Sequence, residues 1–135
     1  GCWMMDKAEE LRSILRKLPD VYKSGDIEGY MAYYSPDLAA NYSGVFMKSD
    51  EARKFLRSLF EGNGKSLEFH VGEFQMQFSE SNDAAVISYP WREKFQFGDG
   101  RVTDTEYYET DVWFRRNGEW KMSNVHQSTI KEHQS

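Results

Sequence analysis

The chain has 135 residues, with 22 acidic against 17 basic side chains and a formal charge of −5. That length suits a single domain covering all 135 residues, with a core of its own and no need of a disulfide or metal scaffold. The acidic balance and the lack of a basic block speak against nucleic acid or an anionic membrane as partner, and no run approaches the roughly 18 apolar residues that would cross a bilayer.

One cysteine, Cys2, excludes an internal disulfide or a multi-cysteine metal site, and a reducing, cytoplasmic setting is the default expectation. The Gly1 and Cys2 start also fits the remnant of a removed lipoprotein signal, which would make the protein an exported lipoprotein instead. The 4 Trp, 8 Tyr and 9 Phe concentrate the apolar material in rings that bury about 150–250 Å² each.

From Asp6 to Leu18, Leu11, Ile14, Leu15 and Leu18 recur with the spacing of one helix face, and Pro19 is expected to end or kink that helix. Asp26 then caps a second helix carrying Ile27, Tyr30, Met31 and Tyr34, which Ser35, Pro36 and Asp37 stop. Short extended stretches follow at Leu38–Ser43 and, after Gly44, at Val45–Lys48. Ser49, Asp50 and Glu51 open a third helix with a buried stripe of Phe55, Leu56, Leu59 and Phe60, and Gly62 and Gly64 close it.

Beyond Lys65 the apolar period changes from 3.6 to 2, the mark of strands. Leu67, Phe69 and Val71 alternate on odd positions while Phe74, Met76 and Phe78 alternate on even ones, which predicts a β-bulge near Gly72 and Glu73. Further strands are expected over Ala84–Phe97, Arg101–Arg116 and Glu119 to about Thr129, with Asn117-Gly118 as a strong hairpin turn. Helices first and a curled antiparallel meander afterwards predict an α+β domain with about three N-terminal helices gathered on one face of the sheet.

A two-residue turn at Asn117-Gly118 pairs Arg116 with Glu119. Counting back sets Trp113 opposite Met122, Asp111 opposite Asn124, Glu109 opposite His126 and Tyr107 opposite Ser128. A two-residue turn at Asp99-Gly100 pairs Tyr89 with Thr110 and leaves Arg92 on the Glu109 and His126 side; a three-residue loop that includes Gly98 slips the faces by one. The first register gathers Arg92, Tyr107, Glu109, Asp111, Trp113, Asn124 and His126 on one face, a mixture a hydrocarbon core would not choose.

The run from Glu109 to Lys121, closing on Val125, His126, Gln127 and Ser128, resembles the end of a nuclear transport factor 2-like domain. It is most similar to the SnoaL-like group and to the association (hub) domain of calcium/calmodulin-dependent kinase II. The resemblance implies a conical, cystatin-like sheet with a pocket at its wide end, commonly paired into homodimers through the sheet face. It also implies one of three roles: a small-molecule binder, a cofactor-free isomerase (ketosteroid isomerase-like), cyclase or dehydratase, or a hub-like oligomerisation module. Where the hub carries two pocket arginines this chain has Asp111 and Gln127, so its pocket is expected to favour neutral or cationic molecules over anions.

Glu109, Asp111 and His126 are the catalytic candidates. A carboxylate beside an imidazole can hold or pass a proton, Asp111 can abstract one from a carbon acid, and Tyr107 or Tyr34 can donate to the developing oxyanion. Glu109 and His126 can equally be a structural cross-strand pair, and Asp111 a salt-bridge partner of Arg92. Arg92, Tyr107, Trp113, Asn124, Tyr34 and Tyr30 are the ligand-binding candidates, for a small apolar or aromatic molecule. Trp113 reads equally as a core ring, and most of the tyrosines of the second helix as packing. The repeated spacings of a metal site, a dinucleotide fingerprint and a phosphate loop are not found in the sequence, so no metal or cofactor is expected.

Overall fold

The computed structural model describes residues 6–133, so Gly1 and Cys2 lie outside the described residues. Helix α1 spans Lys7–Lys23 and starts where the Asp6 carboxylate accepts the Glu9 backbone N–H at 2.9 Å. It does not stop at Pro19. Proline removes one backbone donor, but the last turn is held from the far side: Tyr22 is buried, packs on Tyr30, Phe60 and Phe69, and donates its hydroxyl to Glu93 at 2.7 Å. Tertiary contact here outweighs the local penalty.

The second helix, α2, is short, Ile27–Met31, with the Asp26 carboxylate accepting the Gly29 N–H at 3.0 Å. Tyr34, expected on this helix, instead begins strand β1 (Tyr34–Tyr42). Asn41 Oδ1 accepts the Gly44 N–H at 2.7 Å and closes the turn into β2 (Val45–Lys48). Helix α3 spans Ser49–Phe60, with the Glu51 carboxylate accepting the Lys48 N–H at 3.3 Å; Ser49 is buried and takes a hydrogen bond from Arg53 rather than capping. Of the expected stripe, Leu56 is buried, Leu59 and Phe60 are half-buried, and Phe55 stays 38% exposed at the rim.

The remaining strands are β3 (Lys65–Val71), β4 (Gln75–Phe78), β5 (Ala84–Gln96), β6 (Val102–Arg116) and β7 (Glu119–Glu132). They form a curved, unclosed sheet of seven strands ordered β2-β1-β7-β6-β5-β3, with β4 also on β5. The pairing of β1 with β7 is parallel, so the sheet is mixed rather than wholly antiparallel. Its concave face packs on the helices through Leu11, Leu15, Met31, Ile87, Trp113 and Met122. Among the described residues no helix is long and apolar enough to cross a membrane.

The expected bulge near Gly72 is a full break, since β3 and β4 pair with β5 as separate segments. Pro90 explains it. Its carbonyl accepts the Gly72 N–H at 2.8 Å, so the N–H that proline lacks would have faced the same side, and the ladder is short of one bond where the strand parts. A β-carbon on Gly72 would lie 2.6 Å from the Pro90 ring, so only glycine fits without displacement.

Two turns decide which side chains face inward. Phe97 donates to the Arg101 carbonyl at 2.8 Å across the three-residue loop Gly98, Asp99 and Gly100, which sets Tyr89 opposite Glu109 and Trp91 opposite Tyr107. Asn117 and Gly118, both with positive φ, pair Arg116 with Glu119 and Trp113 with Met122. Ser123 is then an extra residue on β7, so Val112 faces Asn124, Asp111 faces Val125, Thr110 faces His126 and Glu109 faces Gln127.

A β-carbon on Gly64, just past α3, would fall 1.7 Å from the Leu59 carbonyl oxygen, a backbone atom that cannot step aside. Gly64→Ala is expected to destabilise the fold by about 1–3 kcal/mol, read as a lower urea midpoint. An unchanged midpoint would mean that the α3 exit is not held this tightly.

Candidate functional site

Between the three helices and the concave face lies a cavity of about 170 Å³. Its floor comes from alternate residues of two neighbouring strands, Tyr89, Trp91 and Glu93 on β5 and Tyr107, Glu109, Asp111 and Trp113 on β6. Tyr22, Tyr30, Tyr34 and Tyr42 bring phenol rings from α1, α2 and β1.

Its centre is a pair of carboxyl groups bridged by a phenol. The Tyr89 hydroxyl oxygen lies 2.5 Å from Glu109 Oε2 and 2.9 Å from Asp111 Oδ2, and Trp91 Nε1 donates to Glu109 Oε1 at 3.0 Å. A phenol has one proton to give, so one of its two contacts must be made by a proton on the carboxyl. Glu109 already receives the indole N–H, which places the second proton on Asp111, donating to Tyr89, while Tyr89 donates to Glu109. Burial first, and the Glu109 charge second, push the Asp111 carboxyl well above its ordinary range. Asp111 Oδ1 and Trp113 Nε1 are buried without a hydrogen-bond partner.

A third carboxyl group, Glu93, sits further along β5 and accepts the Tyr22 hydroxyl at 2.7 Å; burial raises its pKa. Trp91 and Tyr107 stack at 4.1 Å between ring centres, and Phe74 meets Tyr89 edge-on at 4.8 Å. Burial raises the pKa of all four phenols from the helices and β1, with Tyr42 pushed up to about 12, so each remains a neutral donor at physiological pH. A neutral acid, a phenol and a second carboxyl in line can pass one proton along a chain or present it to a bound molecule.

Of the residues singled out from sequence, Glu109, Asp111, Tyr107, Trp113, Tyr30 and Tyr34 line this cavity. Arg92, Asn124 and His126 do not. The three-residue loop and the Ser123 bulge turn them to the outer face, where Arg92 makes two 2.9 Å bonds to Asp104, and Asn124 and His126 are exposed. The expected Glu109 and His126 pair therefore does not form, and Asp111 makes no ion pair with Arg92. Tyr89, Trp91 and Glu93 were not foreseen; the signal that could have found them is Gly98, whose inclusion in the loop moves exactly that set of odd-numbered residues inward.

A carboxyl whose pKa is higher folded than unfolded stabilises the fold most below the unfolded value and withdraws that stability as pH rises through the folded one. Asp111 and Glu93 both have this sign, so raising the pH from the carboxylate range towards 8 is expected to lower the urea midpoint. Asp111→Asn removes one contribution, and its midpoint should fall less over the same range. A variant as pH-sensitive as the parent would place the proton elsewhere.

The model of the calcium/calmodulin dependent protein kinase II association domain matches residues 7–131. The delta subunit of calcium/calmodulin-dependent protein kinase type II from Oryctolagus cuniculus is 27% identical over 139 aligned residues, covering 90% of this chain and 24% of that protein. The chain thus spans about a quarter of the length of this curated relative. Among solved structures, a putative association domain of the same kinase family from Exiguobacterium sibiricum superposes with a TM-score of 0.79 at 13% identity, covering 97% of this chain and 98% of the other. A nuclear transport factor 2-like protein from Cytophaga hutchinsonii gives 0.76 at 16% identity, covering 93% and 100%. At such identities the superpositions speak for a shared nuclear transport factor 2-like fold alone, whereas the sequence match over nearly the whole chain goes further: the chain belongs to the calcium/calmodulin dependent protein kinase II association domain family.

Proposed function

We propose that the chain binds a small, largely apolar or aromatic molecule between its helices and the concave face of the sheet. The observation that carries this reading is a cavity walled by aromatic rings in which a buried acid oxygen, Asp111 Oδ1, has no donor. Leaving such an atom unpaired costs about 1–3 kcal/mol, which a ligand carrying an N–H or O–H would recover. The volume of about 170 Å³ is enough for one aromatic ring with a short substituent, since an apolar cavity of roughly 150 Å³ accommodates benzene. The carboxyl and phenol chain also suits cofactor-free isomerisation, cyclisation or dehydration, with Asp111 and Glu109 moving the proton through Tyr89. His126, on the other face, takes no part.

Val71 lines the cavity from β3, and Val71→Trp should fill it. Benzyl alcohol and indole are expected to shift the NMR resonances of cavity residues in the parent and to bind at least roughly tenfold more weakly to the filled variant. Fragments that leave the parent unchanged, or bind both proteins equally, would refute a ligand role.

The outer face supports a second reading, association with another copy of the chain. Val86, Tyr108 and Ile130 stand 37%, 43% and 63% exposed on it, which is costly for an isolated sheet. Light scattering is expected to give twice the monomer mass, and Ile130→Lys to shift the population towards monomer; a monomeric parent at micromolar concentration would end this reading.

A further inference from the structure

The cavity wall is electrically one-sided. Glu93, Glu109 and Asp111 enter it, and among the described residues lining it there is no lysine, arginine or histidine. The titratable groups facing Asp111 and Glu109 are phenols: Tyr89 from β5, Tyr30 from α2, and Tyr34 and Tyr42 from β1. Arg53 of α3 comes near but is engaged outside, donating to the Tyr34 carbonyl at 2.9 Å with its guanidinium 5.8 Å from the centre of the Tyr34 ring. Nor do the carboxyls converge as metal ligands, for among the described residues no group of three or more His, Cys, Asp or Glu side chains is placed to hold an ion.

Resting on the reading that this cavity takes a small molecule, we propose that its ligand is a protonated primary or secondary amine with an apolar, ring-sized body. The ammonium sits against Glu109 and Asp111, and the body lies among the tyrosine and tryptophan rings.

Four observations converge on that class. Asp111 Oδ1 lacks a donor, and an ammonium N–H supplies one, which a quaternary ammonium cannot. The two carboxyls share a phenol at 2.5 and 2.9 Å and so hold a proton between them; a cation takes over that proton's electrostatic role and releases it to solvent. The rings of Tyr34, Tyr42, Tyr89 and Trp91 line the same cavity as the pair, and aromatic rings attract cations over their faces, most strongly away from water. A carboxylate ligand would meet like charge with nothing positive in the wall, and an alcohol would satisfy Oδ1 while leaving the second carboxyl uncompensated. The ligand enters and leaves as the same ammonium ion, Asp111 gives its proton to the buffer, and no covalent bond of the ligand changes.

Three probes of one shape separate the possibilities by calorimetry at pH 7.5: 2-phenylethylamine, 2-phenylethanol and phenylacetate, each titrated in phosphate and in Tris. The amine is expected to bind at least roughly tenfold more tightly than the alcohol, and phenylacetate more weakly than either. The heat of amine binding should differ between the buffers in the direction of proton release, while that of the alcohol should not. Asp111→Asn should erase the buffer dependence and most of the amine's advantage over the alcohol. Should that variant fail to fold, Glu109→Gln is expected to cost the amine its advantage in the same way. An alcohol or phenylacetate that matches the amine, or an amine whose heat ignores the buffer, overturns the cationic assignment and leaves the cavity reading standing. If none of the three binds, both fall.

Discussion

Two acids and one phenol in a space without countercharge form the constraint around which this molecule is arranged. Glu109 and Asp111 are two residues apart on β6 and so point the same way, and Tyr89 stands opposite Glu109 on β5. Like charges so close, with little water to screen them, cannot both persist, so the arrangement is tolerable only with a proton retained on Asp111 and donors aimed at Glu109. Ile87 and Val125 flank Asp111 on the neighbouring strands, while Tyr89 and Trp91 reach the pair with a phenol and an indole, rings that bury an apolar body and still offer one polar atom.

Much of the framework was legible because local chemistry agrees with it. Asp26 caps α2 as its position suggests, the Asn117-Gly118 turn fixes the start of the last hairpin, and the change of period after Lys65 marks where helices give way to strands. The end of α1 was not legible. Pro19 is a strong local signal, but the hold on the following turn comes from Glu93, distant in sequence, through Tyr22. Tyr34 misleads in a similar way, since its spacing from Tyr30 fits a helix while its backbone pairs with Met122 of β7.

The site was half legible for a reason specific to sheets. Period-2 alternation correctly groups Tyr107, Glu109, Asp111 and Trp113, because no irregularity falls among them on β6. Which residues of β5 and β7 join them depends on one residue of loop and one residue of bulge, and neither leaves a periodic trace. The loop choice turns Arg92 outward and brings Tyr89, Trp91 and Glu93 in; the bulge sends Asn124 and His126 to the far side. Acids remain without the bases that the simplest pairing would have given them, and the character of the cavity follows from that subtraction.

Ser123 therefore acts as a phase marker for everything after it in the chain. When this sequence is aligned with relatives, a gap of one position between Trp120 and Val125 is no minor indel, because it exchanges the interior and exterior residues of the closing strand. Two members of the family can share the letters of that segment, histidine included, and still present opposite chemistries to whatever enters. Transferring roles among them requires the hydrogen-bond ladder as well as the aligned columns.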